Sequence, residues 1–131
     1  MFSDMVPVTL EAVKETCRLN HLSHFDTCTL DWSEAIESKE RYDLVLGCEV
    51  FYEEAILTDI SHVLEKMLTS GGKGLFCDPN RLGLDTITLA FQEKFNLSID
   101  QIPLNWSRRK GANLDKMVYL YTFTRRGERR V

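Results

Sequence analysis

Long apolar runs are missing from this 131-residue sequence, and so is the basic start of a secretory signal. No run approaches the roughly 20 residues that a bilayer-spanning helix needs. The amino terminus carries the acidic Asp4 where a signal peptide would be basic. We therefore expect a protein that neither spans a membrane nor is secreted, and that works in the cytoplasm or the nucleus.

The sequence also lacks close cysteine pairs, internal repeats and linkers rich in proline, glycine or serine. Its four cysteines stand far apart, at Cys17, Cys28, Cys48 and Cys77. Because neither a CxxC pair nor a metal-knuckle spacing exists, we expect no metal site and reduced thiols that behave as small apolar side chains. Without a linker or a repeat, the sequence predicts a single domain over residues 1–131.

A surplus of positive charge is absent as well. Sixteen Lys and Arg residues face 20 Asp and Glu residues, which gives a formal net charge of -4. General nucleic-acid binding depends on an excess of Lys and Arg. Two local basic clusters, at 108–110 and 125–130, lack interleaved aromatic residues and favour a solvated loop and tail. We expect no general nucleic-acid binding.

What is present has the balance of a globular domain, with 44% hydrophobic and 27% charged residues. Apolar residues recur at helical spacing in three segments, and this spacing predicts helices over 8–20, 53–69 and 84–95. The second segment has the most regular apolar stripe. Gly71 and Gly72 follow it and would end the helix as a C-cap pair.

Apolar stretches between these helices predict strands. The candidates are residues 27–30, 42–48, 73–77, 97–102 and 117–124. The run from Leu44 to Leu46 is continuous, which is typical of a strand buried on both faces. Because strands alternate with helices until the last two, the sequence predicts an α/β class with a mostly parallel sheet and a closing antiparallel hairpin. Val45 and Leu75 should then lie in neighbouring parallel strands.

Acidic residues follow the strands at the edge where open α/β sheets bind ligands. They are Asp4, after a possible short first strand, and Asp31, Glu49 and Asp78 after the next three. Carboxylates at such positions can accept hydrogen bonds from ribose hydroxyls and from an adenine amino group. The pattern favours a ligand of that chemistry at one edge of the sheet.

These segments resemble the protein methyltransferase family 16 group of seven-strand enzymes, which includes lysine methyltransferases and related arginine-directed members. The resemblance spans nearly the whole chain. Its landmarks are Ser3-Asp4, Leu-Asp-Trp at 30–32, the segment from Asp43 to Tyr52, and a turn at 78–81 in which Asn80 replaces the family's glycine. The resemblance implies a Rossmann-like sheet, S-adenosylmethionine as cofactor and methyl transfer to a protein side chain, lysine before arginine.

The resemblance also implies which residues bind the cofactor. Asp4 would bind the ribose hydroxyls, Asp31 the adenine amino group, and Trp32 would flank the adenine ring. Cys48, at the end of the next strand, is the fourth residue that we expect to bind the cofactor.

The resemblance further implies that Glu49 and Tyr52 are catalytic, because they match the family's acidic-x-x-aromatic motif beside the methyl-transfer site. A carboxylate can orient a cationic nitrogen, and an aromatic wall can exclude water. Plainer alternatives stay open at this point. Asp4 and Asp31 are also suited to cap loops, Trp32 to fill the core, Glu49 to cap the helix near residue 53, and Tyr52 to pack that helix on the sheet.

The family's first strand and glycine-rich loop would precede residue 1. The glycines at 71–74 do not replace that loop, because they come before a strand whereas the cofactor loop follows one. We therefore expect an amino-terminally truncated methyltransferase domain that binds S-adenosylmethionine weakly or not at all. An inactive fragment that serves as a binding module is the alternative, as is another nucleotide-binding α/β domain.

Overall fold

The computed structural model describes residues 1–34, 39–104 and 116–127. The expected link between the last two strands, at 105–115, lies outside these residues together with the basic cluster at 108–110. Within the described ranges, no helix is long and apolar enough to cross a membrane.

The chain divides into two compact units, Met1–Ala35 and Ile36–Val131. Each unit has its own sheet, of two strands in the first and four in the second. The single domain expected over residues 1–131 stays a prediction.

The first unit is a short strand–helix–strand segment. Its elements are β1 Phe2–Asp4, α1 Pro7–Leu19 and β2 Thr27–Thr29. The strands are parallel, with Phe2 opposite Thr27. Proline stands at the first helical position, where its missing N–H costs no hydrogen bond, and the helix buries Leu10 and Cys17. The helix expected over 8–20 is therefore confirmed, shifted by one residue.

The second unit carries the larger sheet. Its elements are β3 Tyr42–Cys48, a 3-10 helix Glu54–Ile56, α2 Leu57–Met67, β4 Leu68–Asp78, α3 Leu84–Phe91, β5 Phe95–Leu104 and β6 Lys116–Arg125. The strand order is β3-β4-β6-β5, with β3 parallel to β4 and the other pairs antiparallel. Val45 lies opposite Gly74, and Leu46 opposite Leu75. The predicted parallel neighbours and the antiparallel closing hairpin are both confirmed.

Aromatic rings fill the core of the second unit. Phe51 is fully buried and stacks on Phe76 at 5.5 Å between ring centroids, while Tyr121 meets it edge-on at 5.5 Å. The aromatic cluster is completed by Phe91, Phe95 and Phe123. Because Phe51 lies in the segment that leaves the carboxyl end of β3, this cluster anchors that segment.

One face of β3 is exposed, which corrects the expectation that the strand is buried on both faces. The side chains of Leu44 and Leu46 are 50% and 70% exposed. Gly47 lies against the Phe76 ring on the face that carries helices α2 and α3. Leu44 and Leu46 alternate with it and point the other way. The continuous apolar run therefore correctly indicates a strand of the sheet, but it does not indicate that both faces of the strand are buried.

The end of α2 also differs from expectation. The helix stops at Met67, because Leu68 is already extended with ψ of 138° and pairs with Tyr42 as the start of β4. Gly71 and Gly72 lie inside β4 and do not form a C-cap. Similarly, Phe95 belongs to β5 and not to the preceding helix. In both places strand pairing determines where the helix ends.

Candidate functional site

Glu49 lies immediately after β3 with a left-handed backbone, at φ of 54°. Such a conformation is uncommon for residues with a β-carbon and needs support from its surroundings. That support comes from the backbone N–H of Glu49, which donates a hydrogen bond to the Cys77 carbonyl at 2.8 Å. The carboxyl end of β4 therefore fixes the direction in which the Glu49 carboxylate leaves β3.

Arg81 forms an ion pair with the Glu49 carboxylate, at 2.9 Å from Nη2 to Oε2. The two side chains are 42% and 59% exposed, so solvent and ligands can reach both. The turn after β4 positions the arginine: Oδ1 of the buried Asp78 accepts hydrogen bonds from the N–H groups of Asn80 and Arg81, at 2.7 and 3.2 Å. Asn80 has φ of 71°, which explains why it can stand where the resembled family has glycine.

Neither plain alternative for the Glu49 and Tyr52 motif is realised. The 3-10 helix begins after Glu53 and α2 after Ile56, and neither helix start has a side-chain cap. Tyr52 is 47% exposed, so it does not fasten the helix to the sheet. The neighbouring Phe51 is fully buried and packs on the sheet residues Phe76 and Tyr121. The carboxylate of Glu49 and the ring of Tyr52 are thus both accessible within one loop.

Beneath this loop lies a buried polar pair, Asp78 and Tyr121. Among the described residues, neither Oδ2 of Asp78 nor the Tyr121 hydroxyl has a hydrogen-bond partner. Burial raises the pKa of Tyr121 to about 12, and the charges of Asp78 and Tyr119 act in the same direction. The Tyr121 hydroxyl therefore stays protonated beside the Asp78 carboxylate.

This raised pKa predicts alkaline instability. In the unfolded chain Tyr121 ionises near its ordinary pKa of 10.0, but in the folded chain only near 12. Between these values the folded state binds more protons, so the free energy of unfolding falls as pH rises, by at most about 3 kcal/mol. Urea denaturation at stepped pH should show this loss. Tyr121→Phe should remove most of it, whereas the control Tyr52→Phe, at an exposed tyrosine, should keep the wild-type profile. Identical alkaline profiles for Tyr121→Phe and wild type would contradict this account.

The first unit presents its own pair of carboxylates at the carboxyl ends of β1 and β2. The strands are in register up to Asp4 opposite Thr29, and the N–H of Leu30 donates to the Asp4 carbonyl at 3.0 Å. Asp31 therefore comes two residues after Thr29, the last paired residue of β2. The structure places these two predicted residues at one edge of the small sheet.

Each of these carboxylates uses one oxygen to shape its own loop. Oδ1 of Asp4 accepts the N–H of Val6 at 2.8 Å, and Oδ1 of Asp31 accepts the N–H and the hydroxyl of Ser33 at 2.9 and 2.7 Å. The Ser33 hydroxyl and N–H lower the pKa of Asp31, which keeps it ionised. Within the described part of the chain, Oδ2 of each carboxylate accepts no hydrogen bond, so it can still bind a hydroxyl or an amino group.

Trp32 and Cys48 are the remaining predicted cofactor residues. Trp32 is half-buried beside Asp31, so it is not the fully buried residue that a core role alone would require. Cys48 is exposed at the end of β3, directly opposite Cys77 of β4. Their roles toward the cofactor stay predictions.

Two features of the site were missed by sequence reasoning. Arg81 was interpreted only as part of a turn, although it binds Glu49. Phe51 was not singled out, although it anchors the whole loop. Its signal was its position inside the apolar run Val50-Phe51, next to the predicted motif.

Other candidate sites are weaker. In the described ranges, no three His, Cys, Asp or Glu side chains come together in a way that would hold a metal ion. An open depression lies beside Met1 and residues 23–26. It adjoins the start of β1, where the N–H of Phe2 donates to the Asp26 carbonyl, and therefore the opposite end of the small sheet from Asp4 and Asp31.

Comparison with known proteins gives a family. The sequence profile of the family described as lysine methyltransferase matches residues 1–109. A comparison with curated proteins yields no match.

Solved structures share the fold. PH0226 from Pyrococcus horikoshii OT3 has a TM-score of 0.72 at 12% identity. The N-methyltransferase NodS from Bradyrhizobium japonicum WM9, in complex with S-adenosyl-L-homocysteine, has 0.69 at 20%. The ribosomal protein L11 methylase from Lactobacillus delbrueckii subsp. bulgaricus has 0.69 at 17%. Each similarity covers 95% of this chain, but only 70%, 65% and 56% of the respective relative.

Proposed function

Because the chain belongs to the lysine methyltransferase family, we propose that it transfers a methyl group to a protein side chain. We propose lysine as the methylated residue, ahead of arginine. The family and the methyltransferase fold indicate S-adenosylmethionine as the methyl donor. When bound, this cofactor supplies a methyl group on a positively charged sulfur.

The ion pair between Glu49 and Arg81 is the observation that carries this proposal. It shows an exposed carboxylate, held in place by the ends of two neighbouring strands, that already binds a cationic nitrogen at 2.9 Å. A lysine or arginine side chain of a substrate would offer the same chemistry. Glu49 can thus orient the incoming nitrogen through a charge-assisted hydrogen bond.

Tyr52 completes the substrate side of the site. Its exposed ring stands three residues after Glu49, in the loop that the buried Phe51 anchors. An aromatic surface beside a carboxylate attracts a cation and displaces water from it. Together the two side chains would bind a long cationic side chain by its nitrogen and by its adjoining methylene groups.

The first unit would hold the nucleoside part of the cofactor. The available Oδ2 atoms of Asp4 and Asp31 suit ribose hydroxyls and an adenine amino group, and both carboxylates stand at the carboxyl ends of parallel strands. The half-buried ring of Trp32 would flank the base. Cys48, in the second unit, stays a predicted cofactor residue. The residues present therefore fit this cofactor chemically.

A methyl-transfer assay tests the proposal. The chain would be supplied with isotope-labelled S-adenosylmethionine and a cell extract, both as the 131 residues and with a family first strand and glycine loop placed before them. We expect label on lysine side chains of protein, identified by mass spectrometry. Glu53→Gln, which changes an exposed acid in the same loop, is the control that should keep activity. Label found on nucleic acid or on small molecules, and not on protein, would overturn the proposal.

A further inference from the structure

Two cysteines stand side by side at the carboxyl end of the larger sheet. Cys48 ends β3 and Cys77 precedes the last residue of β4, and the parallel register places them directly opposite each other. Gly47 and Phe76, one position earlier, meet on the helix-covered face. Since side chains alternate along a strand, Cys48 and Cys77 share the opposite, more open face.

The spacing of the two residues suits a covalent bond. Neighbouring strands lie about 4.7–4.9 Å apart, within the roughly 4.4–6.8 Å that α-carbons span in disulfides. Both cysteines are reduced in the structure.

We propose that Cys48 and Cys77 form a redox-active dithiol, which a small-molecule disulfide such as oxidised glutathione converts into an intramolecular disulfide. The inference concerns modification of the chain, and its test does not depend on methyl transfer.

The two cysteines would take different parts in this exchange. Cys48 is exposed, whereas Cys77 is partly buried, so an incoming disulfide meets Cys48 first. Burial raises the pKa of Cys77, and nearby Cys48, Asp78 and Glu49 raise it further, so Cys77 remains a thiol more readily. Cys48 is therefore the attacking residue and Cys77 the resolving one.

The reaction balances in two exchanges. The Cys48 thiolate attacks one sulfur of oxidised glutathione, so that a mixed disulfide forms and one glutathione thiolate leaves. Cys77 then loses its proton and attacks the Cys48 sulfur, which releases the second glutathione. The protein loses two protons and two electrons, and one oxidised glutathione takes them up to become two reduced ones.

The location gives this bond a structural consequence. Glu49 follows Cys48 directly, and its N–H already binds the Cys77 carbonyl. Asp78, which organises the turn of Arg81, follows Cys77. A bond between the two sulfurs would tie together the strand ends from which the Glu49–Arg81 ion pair is built.

Peptide mapping after oxidation tests the proposal. The reduced chain would be incubated with oxidised glutathione, blocked with an alkylating reagent and digested with trypsin, which separates Cys48 in residues 42–66 from Cys77 in residues 74–81. We expect these two peptides to be joined, and a reducing agent to separate them. Cys48→Ser should abolish the link, and Cys77→Ser should stop at a glutathione adduct on Cys48. Cys28→Ser, in the first unit, is the control that should retain the link.

Three results would overturn the proposal. In the first, the wild-type chain stops at a glutathione adduct on Cys48 without joining the peptides. In the second, Cys28 replaces either residue in the bond. In the third, the link forms only between two copies of the chain, which chromatography without reducing agent would reveal. Thermal unfolding of both serine variants in reducing buffer should match wild type, so that loss of the link is not a folding defect.

Discussion

Replacement of Phe51 by alanine should lower the free energy of unfolding of the second unit by about 3–5 kcal/mol, the range for large aromatic residues removed from cores. Phe51 is fully buried, and its ring contacts Phe76, Phe91, Tyr121 and Phe123 at centroid distances from 5.5 to 6.4 Å. Truncation would remove apolar burial together with one stacked and two edge-to-face ring contacts, and would leave a cavity among the remaining rings. Urea denaturation followed by circular dichroism measures the change.

The adjacent tyrosine provides a matched control. Tyr52 is 47% exposed and belongs to the same loop, so Tyr52→Ala should change the free energy of unfolding by no more than about 0.5 kcal/mol. Phe51→Leu should fall between the two, because it keeps part of the apolar volume. Equal denaturation midpoints for Phe51→Ala and Tyr52→Ala would show that the aromatic cluster does not support the loop.

These neighbours explain how the fold serves the site. Phe51 points into the core while Glu49 and Tyr52 on either side remain accessible. Buried and exposed residues therefore alternate within one short segment that leaves β3. The stability of the aromatic cluster is thereby linked to the position of the two residues proposed to act on substrate.

The pairing of β3 with β4 could be predicted because both strands are apolar runs separated by a strongly patterned helix. Such patterns depend on neighbours close in sequence. The exposure of Leu46 could not be predicted, since it depends on which elements cover each face of the finished sheet. The end of α2 at Met67 could not be predicted either. It is set by the pairing of Leu68 with Tyr42, which lies far earlier in the chain, and not by the two glycines that follow the helix.

Prediction of the site had a similar limit. The motif of Glu49 and Tyr52 is local, and a resemblance to a family was enough to find it. Arg81 stands 32 positions from its partner Glu49, so no local pattern pairs them. The contact between Cys48 and Cys77 likewise required the strand register. Sequence reasoning found the candidate residues of one loop, and the structure added the residues that contact this loop from the end of the next strand.

The Glu49–Arg81 ion pair determines how the effect of a substitution at Glu49 should be interpreted. Arg81 occupies the carboxylate in the structure, so a cationic substrate nitrogen must compete with it or share it. Both side chains are accessible, and such exposed pairs contribute little to stability, typically under about 1 kcal/mol. If a substitution of Glu49 lowers activity but not stability, the loss therefore reflects a weaker interaction with the substrate and not a damaged fold.

Glu49→Gln should lower turnover by roughly 10- to 1000-fold, the scale of losing one positioned charged contact or proton acceptor. Glutamine keeps the shape of the side chain but removes the charge that would orient the incoming nitrogen. Turnover would be measured by steady-state kinetics with a protein that accepts the methyl group, on a form of the chain that transfers methyl groups. Cofactor affinity would be measured by calorimetric titration with S-adenosylmethionine. Asp31→Ala is the contrasting variant, and it should weaken cofactor affinity because its proposed partner is adenine. If Glu49→Gln left turnover unchanged while Asp31→Ala weakened cofactor binding, Glu49 would be only the structural partner of Arg81, and the substrate nitrogen would be oriented by another group.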